Sequence, residues 1–170
     1  MRGRTLRLAA GVLVAALAAA MAVGIAGCGS SSTSSSSTGS AASAPIKIGA
    51  IVSLTGSYAG IGTPQKQVIE MEVKRINDAG GINGHQVQVL VEDDGTDEAK
   101  AVAAATKLIE QDKVVALIGS SGTGPSMAIR PEVDRAGIPQ VSMAGGNAIT
   151  GTFDPLVFQT AWTNGLVAPF

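Results

Sequence analysis

Between residues 46 and 160, short apolar runs alternate with stretches whose apolar residues recur at helical spacing, and that alternation leaves few folds open. Ile46, Ile48, Ala50, Ile51 and Val52 predict a first strand, and turn residues fill 53–62. Thr63 before Pro64 predicts a helix start, a hydroxyl cap ahead of the residue that tolerates the first helical position. Ile69, Val73 and Ile76 continue that helix, and Asn77-Asp78-Ala79-Gly80-Gly81 stops it. Val87, Val89 and Val91 alternate as a second strand. Asp97 predicts the cap of a helix bearing Val102, Ala105 and Ile109 on one face, with Glu98 at its positive end. Residues 114–118 form a continuous apolar run, as a strand buried on both faces should. A Gly-rich loop over 119–124 follows, then a helix from Pro125 to Arg135, a fourth strand over 138–142 and a fifth over 157–160. Strands separated by helices imply a parallel sheet covered on both faces. Right-handed crossovers narrow this to an α/β fold with a doubly wound open sheet.

In such sheets ligands sit outside the carboxyl ends of the strands. That rule selects three loops, 53–62, 120–124 and 142–147, all rich in Gly, Ser and Thr and without His, Cys, Lys or Arg. They are suited to touching a ligand with hydroxyl and backbone groups. Ser121, Gly122 and Thr123 lie ahead of a predicted helix N-terminus, where N–H groups and hydroxyls favour a carboxylate. The plainer reading of the same residues is a Gly-rich turn that only caps a helix. No Gly-Lys-Ser/Thr follows, so this is not a phosphate loop, and Met127 stands where a dinucleotide fingerprint needs its third glycine. Tyr58 lies in the first loop, where an aromatic ring can stack on a solute, and Trp162 follows the last strand; plain packing accounts for each equally well.

Catalytic readings fare poorly. The nucleophile-elbow pattern Gly-x-Ser-x-Gly does not occur around Ser120 and Ser121. The one histidine, His85, lies in the turn that opens the second strand, at the opposite edge from the three loops. Glu92, Asp93, Asp94, Asp97 and Glu98 cluster at a strand-to-helix turn, but their spacing is not that of a calcium loop. Turn, cap and solubility roles explain them, with Asp93 placed to accept N–H bonds from a neighbouring loop. No enzyme, cofactor or metal site is expected.

The N-terminus reads as an address. Arg2, Arg4 and Arg7 precede an apolar run over 8–26, which ends in small residues at Ile25-Ala26-Gly27-Cys28. This is the layout of a secretory signal. The alternative is an uncleaved membrane anchor, since the run nearly reaches the ~20 residues of a spanning helix. Ile25-Ala26-Gly27-Cys28 resembles the lipobox of bacterial lipoproteins, which implies lipidation of Cys28 and a membrane anchor on the extracytoplasmic side. The chain has 1 cysteine, so no internal disulfide framework is expected. Residues 29–44 are nearly all Ser, Thr, Gly and Ala and read as a flexible tether. Three of the 12 basic residues lie in the leader, so those left are outnumbered by the 13 acidic ones, and no basic face is offered to nucleic acid.

These segments together resemble the leucine/isoleucine/valine-type (type I) periplasmic binding proteins of ABC importers. The resemblance is carried by Ile46-Lys47-Ile48-Gly49 through Leu54-Thr55-Gly56, by Ile76-Asn77-Asp78-Ala79-Gly80-Gly81-Ile82-Asn83-Gly84, and by Val91-Glu92-Asp93-Asp94. It continues through 101–107, Val115-Ala116-Leu117-Ile118-Gly119, and Ala136-Gly137-Ile138-Pro139 with Ser142. It implies two α/β lobes closing on a small solute, with ABC permease and ATPase subunits as partners. Residue by residue, it implies that the hydroxyl of Thr123 holds a ligand carboxylate and that backbone groups of Ala144, beside Gly145, help hold an ammonium. The implied solute is an amino acid or a similar small polar or carboxylate solute. Gly146 stands where amino-acid binders carry Thr, and Ile61 where they often carry Tyr, and these departures leave an apolar carboxylate, an aromatic acid, an amide or a short-chain solute open beside it. The expected layout is a signal at 1–27, a linker at 28–45, a first lobe at 46–158 and the start of a crossover at 159–170, the second lobe lying outside the chain. Half a clamshell is expected to bind weakly or not at all. A solute sensor on the same fold, or a truncated remnant, is the alternative to an importer component.

Overall fold

The computed structural model describes residues 43–163. The signal, Cys28, most of the linker and the end of the expected crossover therefore lie outside the described residues.

Five parallel strands form one sheet in the order β2-β1-β3-β4-β5. They are β1 (Ser43–Val52), β2 (His85–Asp93), β3 (Leu117–Gly119), β4 (Gln140–Ser142) and β5 (Val157–Gln159). Between them lie α1 (Ala59–Asp78), α2 (Glu98–Thr106) with a π-helical turn (Lys107–Gln111), α3 (Thr123–Ala128), α4 (Arg130–Ala136) and α5 (Ala148–Gly151). The order reverses at β1, which pairs with β2 on one side and β3 on the other, so the open doubly wound sheet is as expected.

Alternation along β1 sorts the core. Ile51 points to one face and joins Ala101, Ala104, Ala105, Leu108, Leu117, Ile129 and Val133 beneath α2 and α4. Ala50 and Val52 point to the other and meet Ile69 of α1, with Val73, Ile118 and Met143 around them. Among the described residues α1 is the one long helix on that second face. Beneath it runs an open apolar groove of about 220 Å³ lined by Ile48, Val68, Val73, Ile76, Ile82 and Ile118, among others.

Several boundaries differ from expectation. β1 begins at Ser43, inside the expected linker, because Ser43 pairs with His85. Helix α1 begins at Ala59, not at Thr63, and Pro64 is its sixth residue. The turn bonds Ile61 N to Tyr58 O and Gly62 N to Tyr58 O, both 2.9 Å, start the helix without a side-chain cap. Pro64 is tolerated because the carbonyl it leaves, on Gly60, is in an exposed first turn. Asp97 caps α2 as expected, accepting from Lys100 N at 2.8 Å. The buried face of α2 is Ala101, Ala104 and Ala105, continued by Leu108, while Val102 and Ile109 are only half-buried. Small alanines let α2 lie close on the sheet, and the larger residues take its flanks. The expected helix from Pro125 is two short helices that meet at Ile129 and start earlier, at Thr123. β3, β4 and β5 are each three residues, shorter than expected, and the one-turn helix α5 has no counterpart in the sequence reading.

Candidate functional site

The carboxyl ends of β1, β2, β3 and β4 are tied by a buried polar knot. Asp94, fully buried just past β2, accepts from the Ser53 hydroxyl at 2.7 Å, from Thr96 N at 2.8 Å and from the Ser120 hydroxyl. The Ser126 hydroxyl accepts from Ser120 N at 2.9 Å and donates to Ser120 O at 3.1 Å. Ser142 Oγ meets Ser126 Oγ at 2.9 Å and accepts from Ala144 N at 3.2 Å. Gln140 Nε2 donates to Gly119 O and Ser126 O, each at 3.0 Å. An unmade bond at any of these buried groups would cost ~1–3 kcal/mol, so the knot holds the loop roots in one arrangement.

Above the knot the first loop is held by its neighbour. Asp93 Oδ1 accepts from Leu54 N (2.8 Å), Thr55 N (3.1 Å) and Gly95 N (2.8 Å), and its Oδ2 from the Thr55 hydroxyl at 2.6 Å. This is the loop-holding role the sequence suggested. Burial pushes the Asp93 carboxyl up, but the Thr55 hydroxyl and the N–H groups of Gly95, Thr55 and Leu54 outweigh it and hold the pKa below its ordinary value. Tyr58 N donates to Thr96 Oγ1 at 3.1 Å, which carries the same clamp to the start of α1.

The three sequence-selected loops do converge. A side-chain carbon built on Gly122 would stand 2.7 Å from Tyr58 Cε2, so the ring lies on that glycine. One built on Gly146 would stand under 3.0 Å from the Thr123 side chain, so loops 120–124 and 142–147 touch through that pair. Tyr58 is 40% exposed, and Thr123 and Gly145 are half-buried, whereas Gly122, Ala144 and Gly146 are buried. Ile61 stands on the first turn of α1 rather than in a loop, 52% exposed. Ser121 is turned inward. Its hydroxyl donates to Gln65 Oε1 at 2.6 Å and accepts from Ser53 N at 3.1 Å, so it serves the scaffold.

The anion-site expectation at 121–123 changes in kind. Helix α3 is six residues long, too short for much macrodipole, so any attraction there is local hydrogen bonding. The Glu98 carboxylate already stands against Gly124, on the side of α3 that faces α2.

Sequence reading missed Gln159. Its Nε2 donates to Ala144 O at 2.9 Å while its Oε1 accepts from the Thr150 hydroxyl at 3.1 Å. Nearby, Arg130 Nη2 pairs with Asp154 Oδ2 at 2.8 Å and pins the α5–β5 segment to α4. His85 lies at the far edge of the sheet, its Nδ1 2.8 Å from Ala44 O. No three His, Cys, Asp or Glu side chains are grouped to hold a metal among the described residues. The site offers hydroxyls, backbone N–H groups and one aromatic ring, the means of holding a small solute.

The family model described as "Periplasmic binding protein" matches residues 45–168. Among curated relatives, Leu/Ile/Val-binding protein homolog 7 of Brucella abortus (strain 2308) is 34% identical over 98 residues, covering 58% of this chain and 24% of the relative. An amino acid binding protein of Pseudomonas aeruginosa is 34% identical over 109 residues, covering 62% of this chain and 28% of that protein. The chain thus spans about a quarter of the length of the curated relatives it matches. Among solved structures, the substrate-binding protein LivJ of Streptococcus pneumoniae in complex with isoleucine gives a TM-score of 0.68 at 31% identity, over 71% of this chain and 34% of that one. A solute-binding protein of an ABC transporter from Rhodopseudomonas palustris BisB5, in complex with 3,4-dihydroxybenzoic acid, gives 0.64 at 28%, over 70% and 32%.

Proposed function

From the premise that this chain belongs to the periplasmic binding protein family, and that its described residues form a type I lobe, we propose that it is the solute-capturing part of an ABC importer. On this reading it holds a small carboxylate solute outside the membrane and presents it to a permease, tethered by lipid on Cys28. The observation that carries the proposal is the convergence of Tyr58 with Gly122 and of Thr123 with Gly146 at the carboxyl edge of the sheet. Thr123 would supply a hydroxyl to the solute, Gly145 and Gly146 backbone N–H groups, and Tyr58 and Ile61 an apolar wall. These groups hold and do not transform; the loops carry no general base. With Tyr58 and Ile61 widely exposed, the site encloses little of a ligand, and its affinity in this chain is weak.

A thermal-shift screen of amino acids and of aliphatic and aromatic acids at millimolar concentration tests this, because a ligand of the folded state raises its melting temperature. A rise that Thr123→Val abolishes supports the site. A rise unaffected by that change places binding elsewhere. Incorporation of labelled fatty acid that Cys28→Ser abolishes is the expected result for the anchor.

A further inference from the structure

The hydrogen bonds beneath the site are spent unevenly. Around residues 144–146 two of the three carbonyls are taken, whereas of the three N–H groups only that of Ala144 is, to Ser142 Oγ. Ala144 O accepts from Gln159 Nε2 at 2.9 Å, and Gly146 O accepts from Ile149 N at 3.2 Å. The N–H groups of Gly145 and Gly146 and the hydroxyl of Thr123 keep no partner among the described residues. Of the carbonyls of 144–146, only that of Gly145 is similarly open.

Gln159 is set in this role by its second contact. Its Oε1 accepts from the exposed Thr150 hydroxyl, and turning the amide over would face oxygen to the Ala144 carbonyl. Both acidic groups near the rim lie elsewhere. Asp93 is at the end of β2, and β1 and β3 intervene between β2 and β4, three strand spacings or roughly 14 Å. Glu98 stands on the α2 side of α3, whereas Gly146 meets α3 at Thr123 on the side of α5.

An ammonium group brings three donors and no acceptor. Placed against 144–146, it meets the two open N–H groups and two carbonyls that already accept a bond, and only the Gly145 carbonyl is without one among the described residues. A carboxylate meets the open N–H groups and the Thr123 hydroxyl. We propose that Gln159 is a specificity-determining residue: by capping the Ala144 carbonyl it turns this site toward carboxylates that lack an adjacent ammonium and away from α-amino acids. The inference rests on the site assigned above, and its test separates the two.

The test pairs ligands that differ only in the ammonium group, 4-methylpentanoate against leucine and 3-phenylpropanoate against phenylalanine. Each is titrated into the 15N-labelled full chain, with the backbone amide resonances of Thr123, Gly145 and Gly146 as the readout. Unpaired buried donors discriminate strongly, so the deaminated member of each pair is expected to bind about tenfold or more tightly. Gln159→Leu frees the carbonyl and should shrink that ratio about fivefold or more, while Gln159→Arg, which keeps a donor, should preserve it. A ratio is insensitive to partial unfolding, which weakens both members alike. Equal or tighter binding of leucine to the unaltered chain overturns the specificity inference and leaves the site standing, as does an unchanged ratio in Gln159→Leu. Failure of all four ligands to move those resonances sinks the site and this inference together.

Discussion

The side chain of Thr123 occupies the space into which any side chain on residue 146 would have to grow. Two loops rooted on different strands are thereby fitted to each other, a hydroxyl-bearing residue on one against a bare backbone on the other. Gly146→Ala is expected to destabilise the chain by about 1–3 kcal/mol through overpacking. Thr123→Ala in the same chain should recover part of that loss. A double-mutant cycle in urea is expected to give a coupling of ~0.5–3 kcal/mol, and additive effects would contradict the fit.

Asp94 is the centre of the buried knot. Asp94→Ala leaves the hydroxyls of Ser53 and Ser120 and the N–H of Thr96 without their acceptor, so a loss of ~3 kcal/mol or more is expected. Asp94→Asn keeps the shape and one acceptor, and should cost about 1–3 kcal/mol. The urea midpoint of each variant checks both figures.

The clamp at Asp93 makes stability depend on acid. Its folded-state pKa lies below the ordinary 3.8 that the unfolded chain retains. The stabilisation is therefore complete above the unfolded value and is lost as pH falls through the folded one. Asp154, held low by the Arg130 guanidinium and then by Leu156 N–H, acts in the same direction. The urea midpoint should fall as the pH drops below about 4, and Asp93→Asn should make that fall shallower.

The pair between Arg130 and Asp154 is largely sheltered, with side chains 16% and 12% exposed. Arg130→Met should loosen the α5–β5 segment before the rest of the sheet. In hydrogen exchange, the amides of Gln140 and Val157 are expected to exchange faster than in the unaltered chain while those of β1 and β2 keep their protection. Uniform acceleration across all strands would contradict a local role.

What was legible in the sequence follows from what each signal measures. The strand and helix alternation survives because burial on a sheet dictates it, and Asp97 is found because a carboxylate cap is a local event. The start of α1 is hidden because Gly56, Gly60 and Gly62 read as turn residues, although two of them lie inside the helix. Of the expected α2 face, Ala105 is buried but Val102 and Ile109 lie on the flanks, because close approach to the sheet selects the small Ala101 and Ala104 beside it. At the site, the loops are recognisable from their composition, but the duty of each hydroxyl is not. Ser121 serves the scaffold and Thr123 does not, a distinction set by neighbours up to 68 positions away. Gln159 gives no sequence signal at all, since its partners Ala144 and Thr150 come from separate turns.

The serine and carboxylate knot has a consequence for how this surface can change. Because Ser53, Asp94, Ser120, Ser126 and Ser142 are joined by hydrogen bonds in one buried network, the three loops above it are not independent parts. A new solute preference is more readily reached by exchanging single side chains outside the knot, at Tyr58, Ile61 or Gln159, than by rebuilding any loop from its root.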